Sequence, residues 1–361
     1  MRNESNIYEV PFEWGDTNPL ILIQVSINGS RPAPFMFDTG SEATLILNTS
    51  YTKIRSSPAG RSVILNETAT MEQIKPVKLV LKSAPTDFKA TINTAYRTRL
   101  TILDEFYGQG KIAGILGGDV LHFFKVLIDF DAQKIKLGED STKEQMNLSG
   151  WGSARRLSLE RGGPSKICPV VRLFPQGKNA EFGIIDTGAN ISVFTDELLK
   201  RYTTKKSRMT STGADMLKSF EEQLFRVSDF ALTGEKQPVL ARLGNQARNF
   251  IGMDYLSRFN LYLDYTGQEM LLQPRKVPVL LRGNRGFSVV VSGRRVVVTA
   301  VHPDFNGSEP LLVGDELVLS PNLTLMQVQY LLDGFEGEEG MLTVRRNSAI
   351  RTIKYKRISM F

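Results

Sequence analysis

An internal repeat built around the tripeptide Asp-Thr-Gly is the feature that most constrains how this chain of 361 residues can fold. In the first copy a β-rich run and an Asn-Gly turn signal lead into Asp38-Thr39-Gly40-Ser41. In the second copy a similar run and a Gln-Gly turn lead into Asp186-Thr187-Gly188-Ala189. The motif aspartate follows the turn glycine by nine residues in both copies, from Gly29 to Asp38 and from Gly177 to Asp186. Two tripeptides in the same frame predict two β-rich units of one design.

A second block recurs downstream of each motif and has the form apolar-apolar-Gly-x-Asp. It contains Gly117 and Asp119 in the first copy, and Gly252 and Asp254 in the second. Ten residues after each of these aspartates another aspartate stands in a β-rich run, at positions 129 and 264. Two motifs matched in each of two copies indicate two lobes that follow each other in the chain.

The repeat and the composition between its copies predict the domain boundaries. We expect a first lobe over residues 1–140 and a second lobe over 167–276. The stretch 141–166 is rich in Ser, Gly and charge, which predicts a linker with one strand. After residue 276 short β-branched runs flank a segment with helical spacing from Thr324, which predicts a third, smaller domain over 277–361.

Paired aspartates at strand ends suit a hydrolysis that needs neither a metal nor a covalent intermediate. Two carboxyl groups forced together cannot both ionise, so one keeps its proton near the working pH. The ionised group can take a proton from water while the protonated group polarises a carbonyl. Asp38 and Asp186 are therefore the candidate catalytic pair, with no metal and no organic cofactor. The neighbouring glycines permit close approach of the backbone, and the threonine hydroxyls can hydrogen-bond between the lobes.

At these residues the chain resembles the retropepsin-like aspartic proteases, over about residues 15–275. The resemblance implies a mainly β fold in which two retropepsin-like acid-protease lobes in one chain form a pseudo-dimer. It implies an aspartic endopeptidase that binds a peptide or protein substrate, extended, in the cleft between the lobes. The residues that carry the resemblance are the catalytic Asp38 and Asp186, the interlocking Thr39 and Thr187, the close-approach Gly40 and Gly188, and the neighbouring Ser41 and Ala189.

The same resemblance assigns roles around the dyad. Gly117, Asp119, Gly252 and Asp254 match the ψ-shaped loops, and the two aspartates are expected to cap the short helices that follow rather than to catalyse. A hydrogen bond from Ser41 to the dyad would favour an acid-shifted pH optimum, and its absence a more neutral one. The family covers its cleft with flap hairpins, for which residues 61–81 and 208–230 are the equivalent stretches. Neither stretch has the family's flap signature, and only one apex, residues 212–215, is predicted.

The C-terminal segment resembles a PDZ domain, a small β-barrel with a helix. Arg285, Gly286 and Phe287 stand where such domains receive a peptide carboxylate, and the Gly314-Asp315 dipeptide matches their common Gly-Asp segment. The resemblance implies that a peptide C-terminus adds to a strand beside the helix that begins near Thr324. The domain would recruit or regulate substrate; the alternative is a small barrel that packs on the protease and binds no peptide.

Other residue types limit the remaining chemistry. The chain has only two histidines, His122 and His302. Too few histidines are therefore available to favour a Ser-His-Asp triad, a Cys-His pair or a His-rich zinc site. Cys168 is the only cysteine, which excludes an internal disulfide, and we expect it to pack in the core. Trp14 and Trp151 are expected to be packing residues.

Composition indicates an ordinary globular protein. Hydrophobic residues make up 41% and no run is long enough for a membrane helix. The net charge of +7 is scattered along the chain, so nucleic acid is not an expected partner. We expect a monomer. The N-terminus has no export signal, but bacterial members of the resembled group favour an extracytoplasmic location, with the signal removed, over a cytoplasmic one.

Two other interpretations compete with the single-chain protease. In the first, the fold is catalytically silent and serves as a peptide-binding or scaffold module, whose affinity for peptides would not change on Asp38→Asn. In the second, the lobes pair with those of another chain, and activity would depend on protein concentration.

Overall fold

The computed structural model describes most of the chain and gives a mainly β protein. The described residues are 7–15, 18–47, 55–64, 67–100, 103–104, 111–139, 145–161, 163–173, 181–202, 204–212, 219–232, 236–244, 247–276, 282–283, 285–292, 294–301, 305–320, 323, 328, 331–332, 334–335 and 338–357. Within these residues, three short helices have both ends described: α1 (Gly118–Leu121), α2 (Asp196–Leu199) and α3 (Met253–Leu256).

The strands fall into three groups along the chain. Those of the first half are β1 (Ile7–Pro11), β2 (Glu13–Gly15), β3 (Asn18–Ile27), β4 (Ala33–Phe37), β5 (Leu45–Ile46), β6 (Ser57–Ile64), β7 (Glu67–Ile74), β8 (Val77–Leu81), β9 (Phe88–Ile92), β10 (Ala95–Arg97), β11 (Gly114–Leu116), β12 (Lys125–Asp129) and β13 (Lys134–Gly138). Those of the linker and second half are β14 (Arg155–Ser158), β15 (Val170–Arg172), β16 (Phe182–Ile185), β17 (Ser192–Phe194), β18 (Thr204–Thr212), β19 (Ser219–Val227), β20 (Val239–Leu243), β21 (Asn249–Ile251), β22 (Phe259–Asp264) and β23 (Glu269–Pro274). Those of the C-terminal region are β24 (Arg282–Gly283), β25 (Phe287–Ser292), β26 (Arg295–Val301), β27 (Asn306–Gly307), β28 (Glu316–Leu317), β29 (Gly334–Phe335), β30 (Glu339–Arg346) and β31 (Ala349–Lys356).

Each half contains a sheet with the same strand order. In the first half the order is β6-β7-β10-β5-β11-β4-β3, and in the second it is β18-β19-β20-β17-β21-β16-β15. The directions also agree, because β4–β11 and β16–β21 are parallel while β5–β11 and β17–β21 are antiparallel. The repeat in the sequence is thus also a repeat in topology.

A six-stranded sheet joins the two halves. Its order is β1-β13-β12-β22-β23-β14, and β12 of the first half pairs antiparallel with β22 of the second. Every residue of β22 is buried, including the polar Asn260 and Asp264. Val126 and Ile128 from β12 and Leu261 and Leu263 from β22 belong to one core that contains residues of both halves. The two halves therefore pair within this one chain.

The stretch predicted to be a linker supplies one strand to this sheet. That strand is β14, which pairs with β23 at the sheet edge. Trp151, a few residues earlier, packs against a small core cluster, and Trp14 packs against the main core with the guanidinium of Arg275 5.0 Å from its ring. The packing roles predicted for both tryptophans are confirmed.

The C-terminal region has a sheet and a core of its own. The sheet order is β25-β26-β28-β30-β31-β27, and a short pair, β24–β29, stands beside it. Its core cluster is formed by residues between Phe287 and Tyr355. Of the segment with helical spacing, residues 328, 331 and 332 are described and are helical; Val328 and Leu332 are buried. Across the described ranges, no helix has the length and apolar character needed to cross a bilayer.

Candidate active site

The two motif aspartates meet face to face. Asp38 follows β4 and Asp186 follows β16, and a hydrogen bond links their carboxyl groups. A Cβ built on Gly40 would overlap the Asp186 carboxyl, and one built on Gly188 would overlap that of Asp38. Each carboxyl therefore lies over the glycine of the other motif, where only hydrogen fits. Both aspartates remain partly exposed, so water can reach them.

Neighbouring strands fix the position of each aspartate. The Asp38 N–H donates to the carbonyl of Leu116 on β11, and the Asp186 N–H donates to that of Ile251 on β21, each at 3.0 Å. These bonds continue the parallel pairings that precede them, so the motif loops leave rigid, buried strands. The apolar residues before each aspartate supply this rigidity because they pack in the core.

Thr39 and Thr187 connect the two motif loops through reciprocal hydrogen bonds. The Thr39 hydroxyl donates to the carbonyl of Ile185 at 2.7 Å, and the Thr187 hydroxyl donates to that of Phe37 at the same distance. Each hydroxyl also accepts from the backbone N–H of the other threonine at 3.1 Å. Both side chains are 0% exposed. The structure brings these two residues together as the sequence predicts.

Backbone donors surround the paired carboxyls in a nearly symmetric way. Oδ1 of Asp38 accepts from the N–H groups of Gly40 at 2.9 Å and Ser41 at 3.0 Å. Oδ1 of Asp186 accepts from the N–H of Gly188 at 2.8 Å, and the N–H of Ala189 adds a further bond. The Ser41 hydroxyl donates to the carbonyl of Ala43 at 2.9 Å, so its proton is directed away from the dyad.

The pair retains a proton at pH values where an ordinary aspartate has lost it. Burial raises the pKa of Asp38, and the hydrogen bonds from Asp186 and the backbone act against that rise. Burial, the charge of Asp38 and the hydrogen bond to Asp38 hold the pKa of Asp186 well above its usual range. The pair therefore shares one proton, so that one carboxyl is ionised while the other is protonated.

Asp119 and Asp254 support the motif loops from behind, and their predicted capping role is wrong. The N-cap residues of α1 and α3 are Gly117 and Gly252, and the aspartates lie in the first turn. Asp119 accepts from the hydroxyl of Thr44 at 2.7 Å and from its N–H at 2.9 Å. Asp254 accepts from the hydroxyl and N–H of Ser192 at 2.7 and 2.8 Å.

These supporting carboxyls are partly buried, like those of the dyad. Burial raises the pKa of Asp254 to about 6, although Ser192 and the charge of Arg258 oppose the rise. Burial also raises the pKa of Asp119, against its hydrogen bonds to Thr44. Thr44 and Ser192 were missed by the sequence analysis. The signal was present, since each hydroxyl residue comes six positions after its motif aspartate.

Equivalent hairpins stand at the outer end of both sheets. They are β6–β7 in the first half and β18–β19 in the second, and they overlap the stretches predicted for flaps. In the first half, Glu72 of β7 accepts hydrogen bonds from Ser56 and from Arg97 of β10 at the hairpin base. Of the apex predicted at residues 212–215, the part 213–215 lies outside the described residues.

The residues predicted for peptide binding in the C-terminal region precede and begin its outermost strand. Gly286 has a left-handed backbone with φ 78°, and Phe287 is buried against Phe305 and Tyr355. The Arg285 side chain donates to the carbonyl of Phe287 at 2.9 Å. In the Gly-Asp segment, Asp315 is buried and forms a bidentate ion pair with Arg346 at 2.6 and 2.7 Å. That aspartate holds a turn of the domain.

Cys168 lies near the dyad but is a packing residue, as predicted. It belongs to a small cluster with Val170 and Ile184. Burial, together with the negative charges of Asp38 and Asp186, raises the pKa of its thiol to about 12, so it stays protonated and unreactive. His122 stacks with Phe123 and contacts the carbonyl of Gly118, and His302 lies outside the described residues.

No model of a known protein family matches the chain, and no curated protein matches it at a significant level. The functional interpretation therefore depends on the geometry and chemistry of the paired carboxyls.

Proposed function

We propose that the chain is an aspartic endopeptidase in which two retropepsin-like lobes form a pseudo-dimer around Asp38 and Asp186. The observation that carries the proposal is the hydrogen bond between two partly buried carboxyls, each seated over the glycine of the other motif. A pair of this kind holds one proton and one negative charge side by side, which is what water activation and carbonyl polarisation require together.

The reaction uses the one proton and the one negative charge of the pair, and it is described with Asp38 as the ionised member. Asp38, ionised, takes a proton from a water molecule as the water oxygen attacks the carbonyl carbon of the peptide bond. Asp186, protonated, gives its proton to the carbonyl oxygen, so the intermediate is a neutral geminal diol. On collapse the amide nitrogen takes the proton from Asp38 and the C–N bond breaks, while one diol hydroxyl returns a proton to Asp186. The dyad ends in its starting state.

The surroundings support this chemistry by limiting movement. The reciprocal hydrogen bonds of Thr39 and Thr187 hold the two loops together. The backbone hydrogen bonds from the aspartates to β11 and β21 prevent the carboxyls from separating. Because the donors are already in place, little reorganisation is needed as charge moves during the reaction. The direction of the Ser41 hydroxyl, away from Asp38, favours a pH optimum nearer neutral than one assisted by that hydroxyl.

The proposal extends to substrate and to the C-terminal region. An extended peptide or protein segment would lie between the halves, with hydrogen bonds to the backbone as in strand addition. The C-terminal region would be a PDZ-like domain that recruits or regulates substrate. Its first long strand, β25, is the outermost strand of its sheet and begins at Phe287, which suits addition of a peptide there.

Digestion of a diverse peptide library, read by mass spectrometry, tests the proposal. We expect cleavage by the wild type and its loss, by at least a thousandfold, in Asp38→Asn and in Asp186→Asn. The matched control is Asp196→Asn, an exposed aspartate on α2 of the second half, which should cleave like the wild type. Equal cleavage by wild type and both dyad variants would refute the proposal. Binding of peptides without cleavage by any variant would favour a silent peptide-binding protein.

A further inference from the structure

Two matched positions close to the dyad carry polar groups in the second half and hydrocarbon groups in the first. Tyr265 comes directly after β22, and Phe130 comes directly after the equivalent strand β12. Cys168 and Leu20 each stand 18 residues before the aspartate of their own motif, from 168 to 186 and from 20 to 38. The second half therefore has a hydroxyl and a thiol at places where the first half has only a phenyl ring and an isobutyl group.

The segment that contains Cys168 contacts both motif loops. The carbonyl of Pro169 accepts from the N–H of Ile185, the residue before the second motif, at 2.9 Å. The carbonyls of Ile167 and of Ser41 in the first motif lie 3.1 and 3.2 Å from one point, the place where a Cβ on the first glycine of α1 would stand. Cys168 thus lies between the loop of one half and the loop of the other.

The hydroxyl of Tyr265 points into this region without a fixed partner. Its ring packs against the main core, and the hydroxyl is buried with no hydrogen-bond partner among the described residues. Burial raises the pKa of the hydroxyl, and the neighbouring Cys168 and Asp38 raise it further. Burial and then the charges of Asp38, Glu42 and Asp186 raise the pKa of the Cys168 thiol to about 12. Tyrosine and thiol therefore both stay protonated, and Asp38 is the neighbour of the hydroxyl that can ionise.

From this arrangement we propose that the Tyr265 hydroxyl is a positioning group that makes the two carboxyls unequal: it holds the negative charge on Asp38 and so leaves the proton on Asp186. An O–H group with no partner can turn its proton toward a nearby charge. In an interior of low dielectric constant, this dipole stabilises a carboxylate more than a neutral carboxyl. Phe130, at the matching place in the first half, offers no such dipole. This assignment rests on the proposed function and names which carboxyl is the base and which is the acid.

The proposed role also accounts for a polar group that otherwise only destabilises the fold. A buried hydroxyl without a partner loses its hydrogen bonds to water and gains none in return. Phenylalanine would fill the same place without that loss, as it does at residue 130. Buried groups left unsatisfied in this way call for a functional explanation, and such departures from good packing are concentrated at functional sites.

The pH dependence of kcat/KM tests the assignment, measured on a library-derived peptide with the full chain as wild type and as Tyr265→Phe. The acidic limb reports loss of the first proton from the pair, and the alkaline limb reports loss of the second. A charge on Asp38 is stabilised by the hydroxyl both before and after the second proton leaves. Tyr265→Phe should therefore raise the pKa of the acidic limb, by about 0.5 unit, and leave the alkaline limb in place. If the charge lay on Asp186, the alkaline limb would move instead.

Tyr262→Phe is the matched control, because Tyr262 belongs to β22 but packs in a separate cluster, with its hydroxyl 3.5 Å from Asp264. We expect both limbs of this control to stay at the wild-type pH. Thermal unfolding of Tyr265→Phe at or above the wild-type temperature shows that the fold is retained.

In Tyr265→Phe, movement of the alkaline limb, of both limbs together or of neither would overturn the assignment. An equal shift of the acidic limb in Tyr262→Phe would also overturn it, because the effect would then not depend on the place of the hydroxyl. Absence of cleavage by the wild type at every pH would instead refute the proposed protease function, and the assignment with it.

Discussion

The two halves of the molecule have the same strand framework around the dyad but differ in structure farther from it. The comparison indicates which features the dyad requires and which can vary. Both halves have the same order of seven strands, the same Thr-to-carbonyl bonds and the same aspartate behind the motif loop. They differ in the β8–β9 hairpin, which extends only the first sheet. They also differ at Phe130 and Tyr265, which occupy matching places after β12 and β22. Every hydrogen bond that the carboxyls accept from the backbone is duplicated. The nearest difference is Ser41 in place of Ala189, and the Ser41 hydroxyl is directed away from the dyad.

The largest expected effect concerns the glycines under the dyad. Gly40→Ala and Gly188→Ala each place a methyl group inside the opposing carboxyl, so the pair must move apart. A displacement of about 1 Å costs on the order of a hundredfold in rate, and we expect that loss in kcat/KM for both variants. Gly150→Ala is the control, because open space surrounds that glycine. A large loss in one half only would break the equivalence of the two motifs.

The threonine bonds should matter equally in both halves for stability. Thr39→Val leaves the carbonyl of Ile185 without its donor and the N–H of Thr187 without its acceptor. Thr187→Val removes the two corresponding hydrogen bonds on the other side. Two buried groups left unpaired cost about 2–5 kcal/mol, which denaturant unfolding would measure. Thr39→Ser and Thr187→Ser keep the hydroxyl and should recover most of the loss. If Val costs no more than Ser, the hydroxyls are not what joins the loops.

The pH dependence of stability sharpens the comparison of Asp119 with Asp254. A carboxyl whose pKa is raised in the folded state binds its proton more tightly than the unfolded chain does, so the free energy of unfolding falls as pH rises. For Asp254 the fall runs between its usual pKa of 3.8 and about 6, and amounts to about 3 kcal/mol. Asp254→Asn should reduce the measured fall by about that amount, and Asp119→Asn should change it in the same direction.

Urea unfolding at a series of pH values provides the measurement. The dyad contributes a fall of the same sign, and that part persists in both variants. A fall in Asp254→Asn as steep as in the wild type would mean that Asp254 is ionised throughout, as its partner Ser192 and the nearby Arg258 would favour.

The smallest expected effect is at the site where the halves differ. The Tyr265 hydroxyl is buried and has no hydrogen-bond partner among the described residues, whereas Phe130 has no hydroxyl to satisfy. Tyr265→Phe removes an unpaired polar group, so we expect stability to rise by about 1 kcal/mol. Phe130→Tyr should lower it, because its ring is packed against Phe12 and Trp14. Thermal unfolding would check both, and destabilisation by Tyr265→Phe would mean that the hydroxyl has a partner.

Much of the site could be predicted from the sequence because its signals are local. The Asp-Thr-Gly loops at strand ends, their pairing and the threonine contacts follow from two short motifs in the same frame. The partners of Asp119 and Asp254 are harder to predict, because the matched spacing marks Thr44 and Ser192 but not which side chains they pair with. They depend on how β11 and β21 lie beside β5 and β17, which joins residues 75 and 62 positions apart. Local capping rules therefore gave the wrong role.

Side-chain rotamers and contacts between distant parts of the chain also cannot be predicted from a single sequence. The Ser41 hydroxyl can reach either the dyad or a carbonyl of its own turn, and only the folded loop selects Ala43. The approach of β18 to β25 depends on the path of the chain after Arg275. The sequence before β25 likewise gives no sign that β25 lies near the β18–β19 hairpin.

The most direct test of the account is a pH titration of protein labelled with carbon-13 at the aspartate carboxyls, in the wild type and in Asp186→Asn. The chemical shift of each carboxyl reports whether it is protonated. At a pH of about 5 we expect one more protonated carboxyl in the wild type than in the variant, because a close pair of carboxyls keeps a shared proton. The same set of protonated carboxyls in both proteins would contradict the shared proton, and with it the proposed mechanism.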